Sequence, residues 1–126
     1  MRFRRIAGMM LVLTAAGTTG CQNRSDQLPV ALSGAQPDHG RQLIQHYGCG
    51  ACHTIPGVPG ANALVGPPLT SMALRTYIAG MLPNTPDNLE RWIRDPQQVV
   101  PGNAMPTLGV TPAEARDIAA YLYTIK

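Results

Sequence analysis

Residues 54–70 limit the choice of fold more than any other part of the sequence. The stretch, TIPGVPGANALVGPPLT, contains four prolines and three glycines. Because proline lacks the backbone N–H that a helix interior or a central strand requires, neither element can run through it. A connection of this length in a small domain is expected to be an ordered loop. We expect a bound cofactor to hold this loop in place.

The segment before the loop has the pattern of a short amphipathic helix. Residues 38–47 begin with Asp38, a candidate capping residue, and place Leu43 and Ile44 at helical spacing. Gly48 follows, and glycine is the usual residue at the end of a helix. This predicts a first helix that leads directly into the residues after Gly48.

Two further helices are predicted after the loop. Thr85 precedes Pro86, a proline at the first helical position, and Pro96 ends the apolar pattern that follows. The last helix begins at Thr111, with Glu114 at the capping-box position, and runs to the end of the sequence. Both starts rest on specific capping chemistry.

Helices of this kind supply only a small core. Residues 70–80 permit one more short helix, and no segment shows strand alternation or an internal repeat. A domain of about 90 residues buries a low fraction of its surface and usually needs a disulfide, a metal or a comparable staple. We therefore expect an all-α domain that is stabilised by such a group.

The motif Cys49-Gly50-Ala51-Cys52-His53 indicates which stabilising group this is. In C-x-x-C-H, two thiols can bond neighbouring vinyl groups of one haem while the histidine presents its imidazole to the iron. A zinc site would need further ligands, and no second C-x-x-C or H-x-x-x-H is present. A thioredoxin-like pair would need a βαβ pattern, and a plain disulfide would leave the histidine and the loop unexplained. Covalent haem is the interpretation we adopt.

Three motifs together resemble a class I cytochrome c: the helix that precedes C-x-x-C-H, then Gly66-Pro67-Pro68-Leu69, then Asn103-Ala104-Met105-Pro106 before a terminal helix. The resemblance covers residues 37–126. The stretch LPNTPDNLERWIRDPQQVVPGNAMP is similar to cytochrome domains that serve, or are fused to, respiratory oxidases. The resemblance implies a small cytochrome c fold, with three to four short helices and ordered loops around one covalent haem c.

The resemblance also implies roles for individual residues. His53 would be the proximal iron ligand, and its other ring nitrogen would donate to the carbonyl of Pro67, which fixes the ring. Met105 would be the second axial ligand through its sulfur. Arg75 would bind a haem propionate, and Trp92 would pack on the methionine side of the haem.

Other residues compete for the second axial position. Methionine is more often a core residue than a ligand, so Met105 depends on its context. Met81 lies in another loop and is the second candidate, whereas Met72 is expected in the core. His39 and His46 precede the motif on the first helix and are expected to face solvent.

Close packing of the first and last helices is a further expectation. The resemblance implies that Gly40 permits the two helices to cross closely, against Tyr121 or Leu122.

The first twenty residues are predicted to be a signal peptide. Three arginines within the first five positions precede an apolar run over residues 6–17. This run is shorter than the roughly 20 residues that cross a bilayer. Cys21 follows Thr18-Thr19-Gly20, which resembles a lipoprotein lipobox, so lipidation of Cys21 is predicted. The alternative is cleavage nearby by the general signal peptidase, which would leave an odd cysteine.

The tether and the charge balance complete the domain organisation. Residues 21–36 are polar, rich in turn formers and without helical period, which predicts a flexible tether before a domain over residues 37–126. Three of the ten Lys and Arg residues lie in the signal peptide, which leaves seven against seven Asp and Glu. This balance gives no support to nucleic-acid binding.

A His/Met-ligated iron has no open coordination position, which suits electron transfer and not catalysis on a small-molecule substrate. We expect a non-enzymatic carrier between periplasmic or membrane-bound respiratory partners, exported to the periplasmic side of a bacterial membrane. Two alternatives stay open: a relay subunit inside a larger oxidase or dehydrogenase, and a ligand-binding haem sensor or peroxidase. A weak, mostly uncharged docking face is expected from apolar loop residues near the haem edge, namely Ala51, Ile55, Val58, Pro59 and Ala104.

Overall fold

The computed structural model describes residues 28–126, and helices account for most of its regular structure. The helices are α1 Pro37–His46, α2 Pro86–Arg94, α3 Pro96–Val99 and α4 Pro112–Thr124. An antiparallel hairpin joins β1 (Tyr77–Ile78) to β2 (Leu82–Pro83). The predicted all-α fold is confirmed, with this hairpin as a small addition. The predicted signal peptide and Cys21 lie outside the described residues.

Capping residues set the starts of α2 and α4. The Thr85 hydroxyl accepts from the Asn88 N–H at 3.3 Å. At α4, the Glu114 N–H donates to the Thr111 hydroxyl and the Glu114 carboxylate accepts from the Thr111 N–H at 2.9 Å, a complete capping box. Both predicted helix starts are confirmed.

Helix α1 begins one residue earlier than its predicted cap. Gln36 is the capping residue, Pro37 occupies the first helical position, and Asp38 lies in the first turn. The fixed φ of proline suits this position, where its missing N–H costs nothing. Asp38 still favours the helix there, because a negative charge in the first turn interacts well with the helix dipole.

Helices α1 and α4 pack most extensively, and they cross at Gly40. A Cβ built on Gly40 would lie 1.9 Å from the carbonyl oxygen of Asp117 and 2.9 Å from the Ile118 nitrogen. Only glycine allows so close an approach. The predicted close crossing is confirmed, but it lies one turn before Tyr121 and Leu122.

The segment immediately before α1 packs against the domain. Val30–Leu32 forms a 3-10 turn, and the Leu32 side chain is fully buried. Arg116 Nη2 donates to the Ser33 carbonyl at 2.9 Å, and the Gln36 N–H donates to the Asp117 carboxylate at 2.8 Å. Residues 28–36 are therefore part of the packed domain, in contrast to the flexible tether predicted over residues 21–36.

The loop over residues 54–70 is ordered through its own contacts. The Ile55 N–H donates to the Ala61 carbonyl at 3.0 Å, and Ile55, Val58 and Ala61 are buried in the core. The loop thus does not depend on a cofactor alone for its order. Ile55 and Val58 were wrongly predicted for an exposed docking face, because the loop folds its apolar side chains inward.

The connection from the loop to α2 is mostly not helical. Only Met72–Leu74 forms a 3-10 turn, and the hairpin follows, so the short helix predicted over residues 70–80 was largely wrong. Ala79 and Gly80 have φ of 51° and 69°, which reverse the chain and cannot continue a helix. Asn84 Nδ2 donates to the Met72 and Arg75 carbonyls at 2.8 and 3.0 Å and connects the turn to the residues just before α2.

No helix within residues 28–126 has the length and apolar character needed to cross a membrane.

Candidate functional site

A cavity of about 410 Å³ opens between the helices and the loop. Its wall is mostly apolar, and all seven residues that the sequence predicted for the site line it: Cys49, Cys52, His53, Pro67, Arg75, Trp92 and Met105. They come from four separate parts of the chain. The fold therefore brings the predicted site residues together in one cavity.

The hydrogen bond of His53 fixes the chemistry of its ring. Nδ1 lies 2.7 Å from the Pro67 carbonyl oxygen. A carbonyl can only accept, so Nδ1 carries the proton and donates. In a neutral imidazole, Nε2 is then left with a free lone pair. This is the tautomer that a metal-ligating histidine requires.

Backbone contacts hold His53 from both sides. The Gly66 N–H donates to the Cys52 carbonyl at 2.7 Å, and the Leu69 N–H donates to the Thr54 carbonyl at 2.8 Å. The imidazole lies directly over Gly66: a Cβ there would be 2.4 Å from Cε1 and 2.8 Å from Nδ1 of the ring. The position of His53 is therefore set by the loop that follows the motif.

The two cysteines lie at the end of α1. Gly48, with φ of 68°, turns the chain out of the helix, and Cys49–Ala51 forms a 3-10 turn. Gly50 has no room for a side chain, since its Cβ would lie 2.8 Å from the Ala61 Cα. Burial raises the pKa of the Cys49 thiol, and the nearby Cys52 raises it further. Thioredoxin-like cysteines have lowered pKa values, so this environment does not favour that alternative.

Side-chain amides hold the loop that carries Met105. Gln97 Nε2 donates to the Met105 carbonyl at 2.8 Å, and the Asn103 side chain accepts from the Met105 N–H at 2.7 Å. Sequence reasoning did not single out Gln97 or the Asn103 side chain. The available signal was an asparagine two residues before the methionine, since asparagine commonly bonds a backbone N–H two residues on.

The candidates for the second axial position differ in their exposure and in whether they line the cavity. Met105 is half-buried and lines the cavity, whereas Met81 is 64% exposed and lies outside the cavity wall. Met72 also lines the cavity, but it is buried at 4% exposure within the core cluster, as expected for a core residue. His39 and His46 are both exposed and outside the wall, and His39 Nδ1 lies 2.8 Å from an Asp117 carboxylate oxygen.

Arg75 and Trp92 complete the predicted set. Arg75 donates to the carbonyls of Pro68 and Thr70, the second at 3.2 Å. These bonds hold residues 68–70 in place. This segment directly follows Pro67, whose carbonyl accepts from the His53 ring. Trp92 is half-buried at the cavity wall, on the α2 face that also carries the buried Leu89.

Tyr47 is a wall residue whose hydroxyl bonds the start of α4. It donates to the Glu114 carboxylate at 2.9 Å. Hydrogen bonds from the Thr111 hydroxyl and N–H, followed by that from Tyr47, lower the pKa of Glu114. The same contact raises the pKa of Tyr47. The carboxylate therefore links the end of α1 to the start of α4.

Five apolar residues of the cavity wall, prolines aside, are also exposed, and we call them the rim: Val65, Tyr77, Ala79, Ala104 and Leu108. Val65 is 78% exposed and Tyr77 is 59% exposed. The rim lies within residues 49–86 and 96–113, where Arg75 is the sole Lys, Arg, Asp or Glu. Among the residues that line the cavity, Arg75 is likewise the only Lys, Arg, Asp or Glu, so the wall and its rim are largely apolar and carry one formal charge.

The chain matches a family model, and its relatives include cytochrome c oxidase subunits. The sequence model of the family described as Cytochrome c matches residues 37–126. The chain is 38% identical over 90 residues to cytochrome c oxidase subunit 2 of Alkalihalophilus pseudofirmus, a match over 71% of this chain and 25% of that protein. It is 33% identical over 102 residues to cytochrome c oxidase subunit 2 of Bacillus sp. strain PS3, over 78% and 27% of the two proteins. The chain spans about a quarter of the length of these curated relatives.

Proposed function

The chain belongs to the cytochrome c family, and from this premise we propose that it carries single electrons through a haem iron bound by His53 and Met105. Family membership implies a covalently bound haem c, and Cys49 and Cys52 fit the C-x-x-C-H attachment motif. The observation that carries the proposal is the 2.7 Å contact from His53 Nδ1 to the Pro67 carbonyl in a cavity that Met105 also lines. It leaves Nε2 as a ready iron ligand.

The residues of the cavity fit a haem. Its volume of about 410 Å³ lies within the range of roughly 300–1,000 Å³ that is typical of cofactor sites. The two thiols, the imidazole with a free lone pair and the thioether of Met105 match the donor set of a c-type haem with His/Met ligation. The second thioether of the wall, that of Met72, is buried in the core. The wall is otherwise apolar, as a large planar cofactor requires.

The residues around the iron decide what the site does. A haem held by Cys49, Cys52 and His53 would supply one-electron redox chemistry at this site. His53 is held by Pro67 and Gly66, so its ring does not need to reorient when the charge of the site changes. The soft thioether of Met105 and the apolar wall both favour the reduced state and raise the reduction potential. If His53 and Met105 both bind the iron, they would leave it no open position for a substrate.

Arg75 and Trp92 have supporting roles in this proposal. Arg75 lies at the wall and carries the one positive charge of the surrounding segments, which suits a haem propionate. Trp92 offers a large aromatic surface on α2 against which a haem can pack.

Replacement of the two candidate methionines tests the proposal. In the haem-loaded protein, Met105→Ala should abolish the far-red methionine-to-iron band, open the iron to added ligands and lower the reduction potential. Met81→Ala is the matched control and should leave all three properties unchanged, because Met81 is exposed and outside the wall. An unchanged spectrum in Met105→Ala would reject Met105 as ligand. A high-spin spectrum and rapid ligand binding in the wild type would favour a sensor or peroxidase instead.

A membrane-bound respiratory oxidase is the partner that we propose. Relatives of the chain are named cytochrome c oxidase subunit 2, and the chain matches about a quarter of each. The rim is apolar and nearly uncharged, so the partner should present an uncharged apolar surface. The same relatives also favour a second candidate, a relay subunit within a larger complex. Purification from native membranes separates the two, because a subunit would be recovered in a fixed stoichiometric assembly.

Export and lipid anchoring complete the proposal. A signal peptide over residues 1–20 and lipidation at Cys21 would place the domain at the outer side of a bacterial membrane. Cys21→Ser should then release the protein into the soluble fraction. Retention of the variant at the membrane would instead indicate an uncleaved leader or a tightly bound partner.

A further inference from the structure

We propose that Gln97 and Asn103 are positioning residues, whose side-chain amides hold residues 100–105 so that Met105 faces the cavity. The inference rests on the proposed function, in which Met105 is the second axial ligand.

Met105 needs such support because of where it lies. The chain between the end of α3 at Val99 and the start of α4 at Pro112 has no helix or strand. A methionine side chain has three rotatable bonds and adapts to many positions. Its sulfur can be placed reproducibly only if the backbone of Met105 is fixed by other groups.

Gln97 uses both ends of its amide on this loop. Nε2 donates to the Asn103 carbonyl at 2.9 Å and to the Met105 carbonyl at 2.8 Å. Oε1 accepts from the Gly102 N–H at 3.1 Å. One side chain thus binds three backbone groups of the loop, including that of the proposed ligand.

Asn103 ties the same loop back to α3. Its Nδ2 donates to the carbonyls of Pro96 and Val100 at 2.9 and 2.7 Å, and its Oδ1 accepts from the Met105 N–H at 2.7 Å. Together, the two amides bond both the N–H and the carbonyl of Met105.

Helix α3 is itself a fixed support. Pro96, at its first position, is fully buried in the core. Asp95 caps the helix by accepting from the Gln98 N–H at 3.1 Å and also accepts from the Thr107 hydroxyl at 3.3 Å. The loop is therefore connected through Gln97 and Asn103 to an element that is anchored in the core.

Isosteric acids provide the sharpest test, because a carboxylate has no N–H to donate. Gln97→Glu should lose the bonds to the Asn103 and Met105 carbonyls and keep the one to Gly102. Asn103→Asp should lose the bonds to Pro96 and Val100. Gln98→Glu is the matched control: it introduces the same charge on the same helix, at an exposed residue whose side chain is not in the network.

The measurements use the oxidised, haem-loaded protein. Imidazole, which competes with Met105 for the iron, should bind about tenfold more tightly or better to Gln97→Glu and Asn103→Asp than to the wild type. The far-red methionine-to-iron band should also disappear at a lower pH in these variants. Gln98→Glu should match the wild type in both measurements.

The possible outcomes separate this inference from the proposed function. If Met105→Ala alters the spectrum but Gln97→Glu and Asn103→Asp bind imidazole like Gln98→Glu, the positioning role is rejected and the ligand assignment stands. A lower unfolding midpoint with unchanged imidazole affinity would also reject it, since it would show a structural role only. If Met105→Ala leaves the spectrum unchanged, the proposed function itself fails, and the positioning role fails with it.

Discussion

The imidazole of His53 lies over Gly66 with no room for a side chain between them, because a Cβ on Gly66 would come within 2.4 Å of the ring. The same glycine donates its N–H to the Cys52 carbonyl at 2.7 Å. Gly66 therefore fixes both the position of the His53 ring and the backbone of the residue just before His53.

Gly66→Ala should displace the His53 ring. Forcing a methyl group into this contact is expected to cost about 1–3 kcal/mol of unfolding free energy and to alter the haem spectrum. Gly60→Ala is the control, since Gly60 has φ of 76° but no atom within 4 Å of a built Cβ. It should cost about 1 kcal/mol through backbone strain and leave the spectrum unchanged. Equal spectra for the two variants would contradict the assigned role of Gly66.

Arg75→Gln should lower the reduction potential. If Arg75 binds a haem propionate as proposed, removal of its positive charge favours the oxidised, more positive iron, by on the order of 1 kcal/mol or about 40 mV for one electron. Arg91→Gln, at an exposed position on α2 outside the cavity wall, makes the same charge change as a control. Equal potentials in the two variants would argue against a propionate contact at Arg75.

Leu32→Ala tests whether residues 28–36 belong to the domain. Leu32 is fully buried, so its truncation should lower the free energy of unfolding by about 2–5 kcal/mol. Val30 is 91% exposed in the same 3-10 turn, and Val30→Ala should change that free energy by less than about 0.5 kcal/mol. Chemical denaturation measures both, and a neutral Leu32→Ala would indicate a tether instead.

Glu114→Gln should change how stability depends on pH. The pKa of Glu114 is lowered in the folded state by its bonds to Thr111 and Tyr47. Its ionised form therefore stabilises the fold above the unfolded-state pKa of about 4.3, and this contribution is lost as the pH falls through the lower, folded-state pKa. The stability difference between wild type and variant should thus be largest near neutral pH and shrink in acid. Denaturation at a series of pH values measures it, and a difference that grows in acid would contradict the assignment.

Electron exchange at the rim should depend only weakly on salt. Between about 10 and 200 mM salt, the exchange rate with membranes that contain the respiratory oxidase should change less than about threefold, because the rim is uncharged and the cavity wall carries one formal charge, that of Arg75. Leu108→Lys should slow this exchange, whereas Val30→Lys, far from the cavity wall in sequence and not part of it, should not. A steep fall in rate with salt would indicate a charged docking surface elsewhere.

Local chemistry made part of the fold predictable. Thr85 and Thr111 each precede a proline and have the right partners three residues on, so the helix starts follow from the sequence alone. The residues proposed for the haem site were predicted from the resemblance of the C-x-x-C-H motif and its neighbours to a known family, and all of them line one cavity. The contact from His53 to Pro67 agrees with that resemblance.

Features that depend on distant partners were not predictable. Leu32 is buried because the segment before α1 meets α2 and α4, and nothing in its own neighbourhood indicates this. The two-residue strands of the hairpin are too short to show a period of alternation. Gln97 looks like any polar helix residue until the chain five to eight positions later folds back onto it.

The burial of Leu32 also shortens the segment that would connect the domain to a lipid anchor, because residues 28–36 pack against the domain. If a lipid is attached at Cys21, only seven peptide units separate it from Leu28, where the described domain begins, and they can span at most about 25 Å. A carrier held that close to a bilayer meets its partner by a search in two dimensions and samples a restricted set of orientations. The packing of residues 28–36 against the domain would then determine which neighbouring membrane proteins the haem can reach.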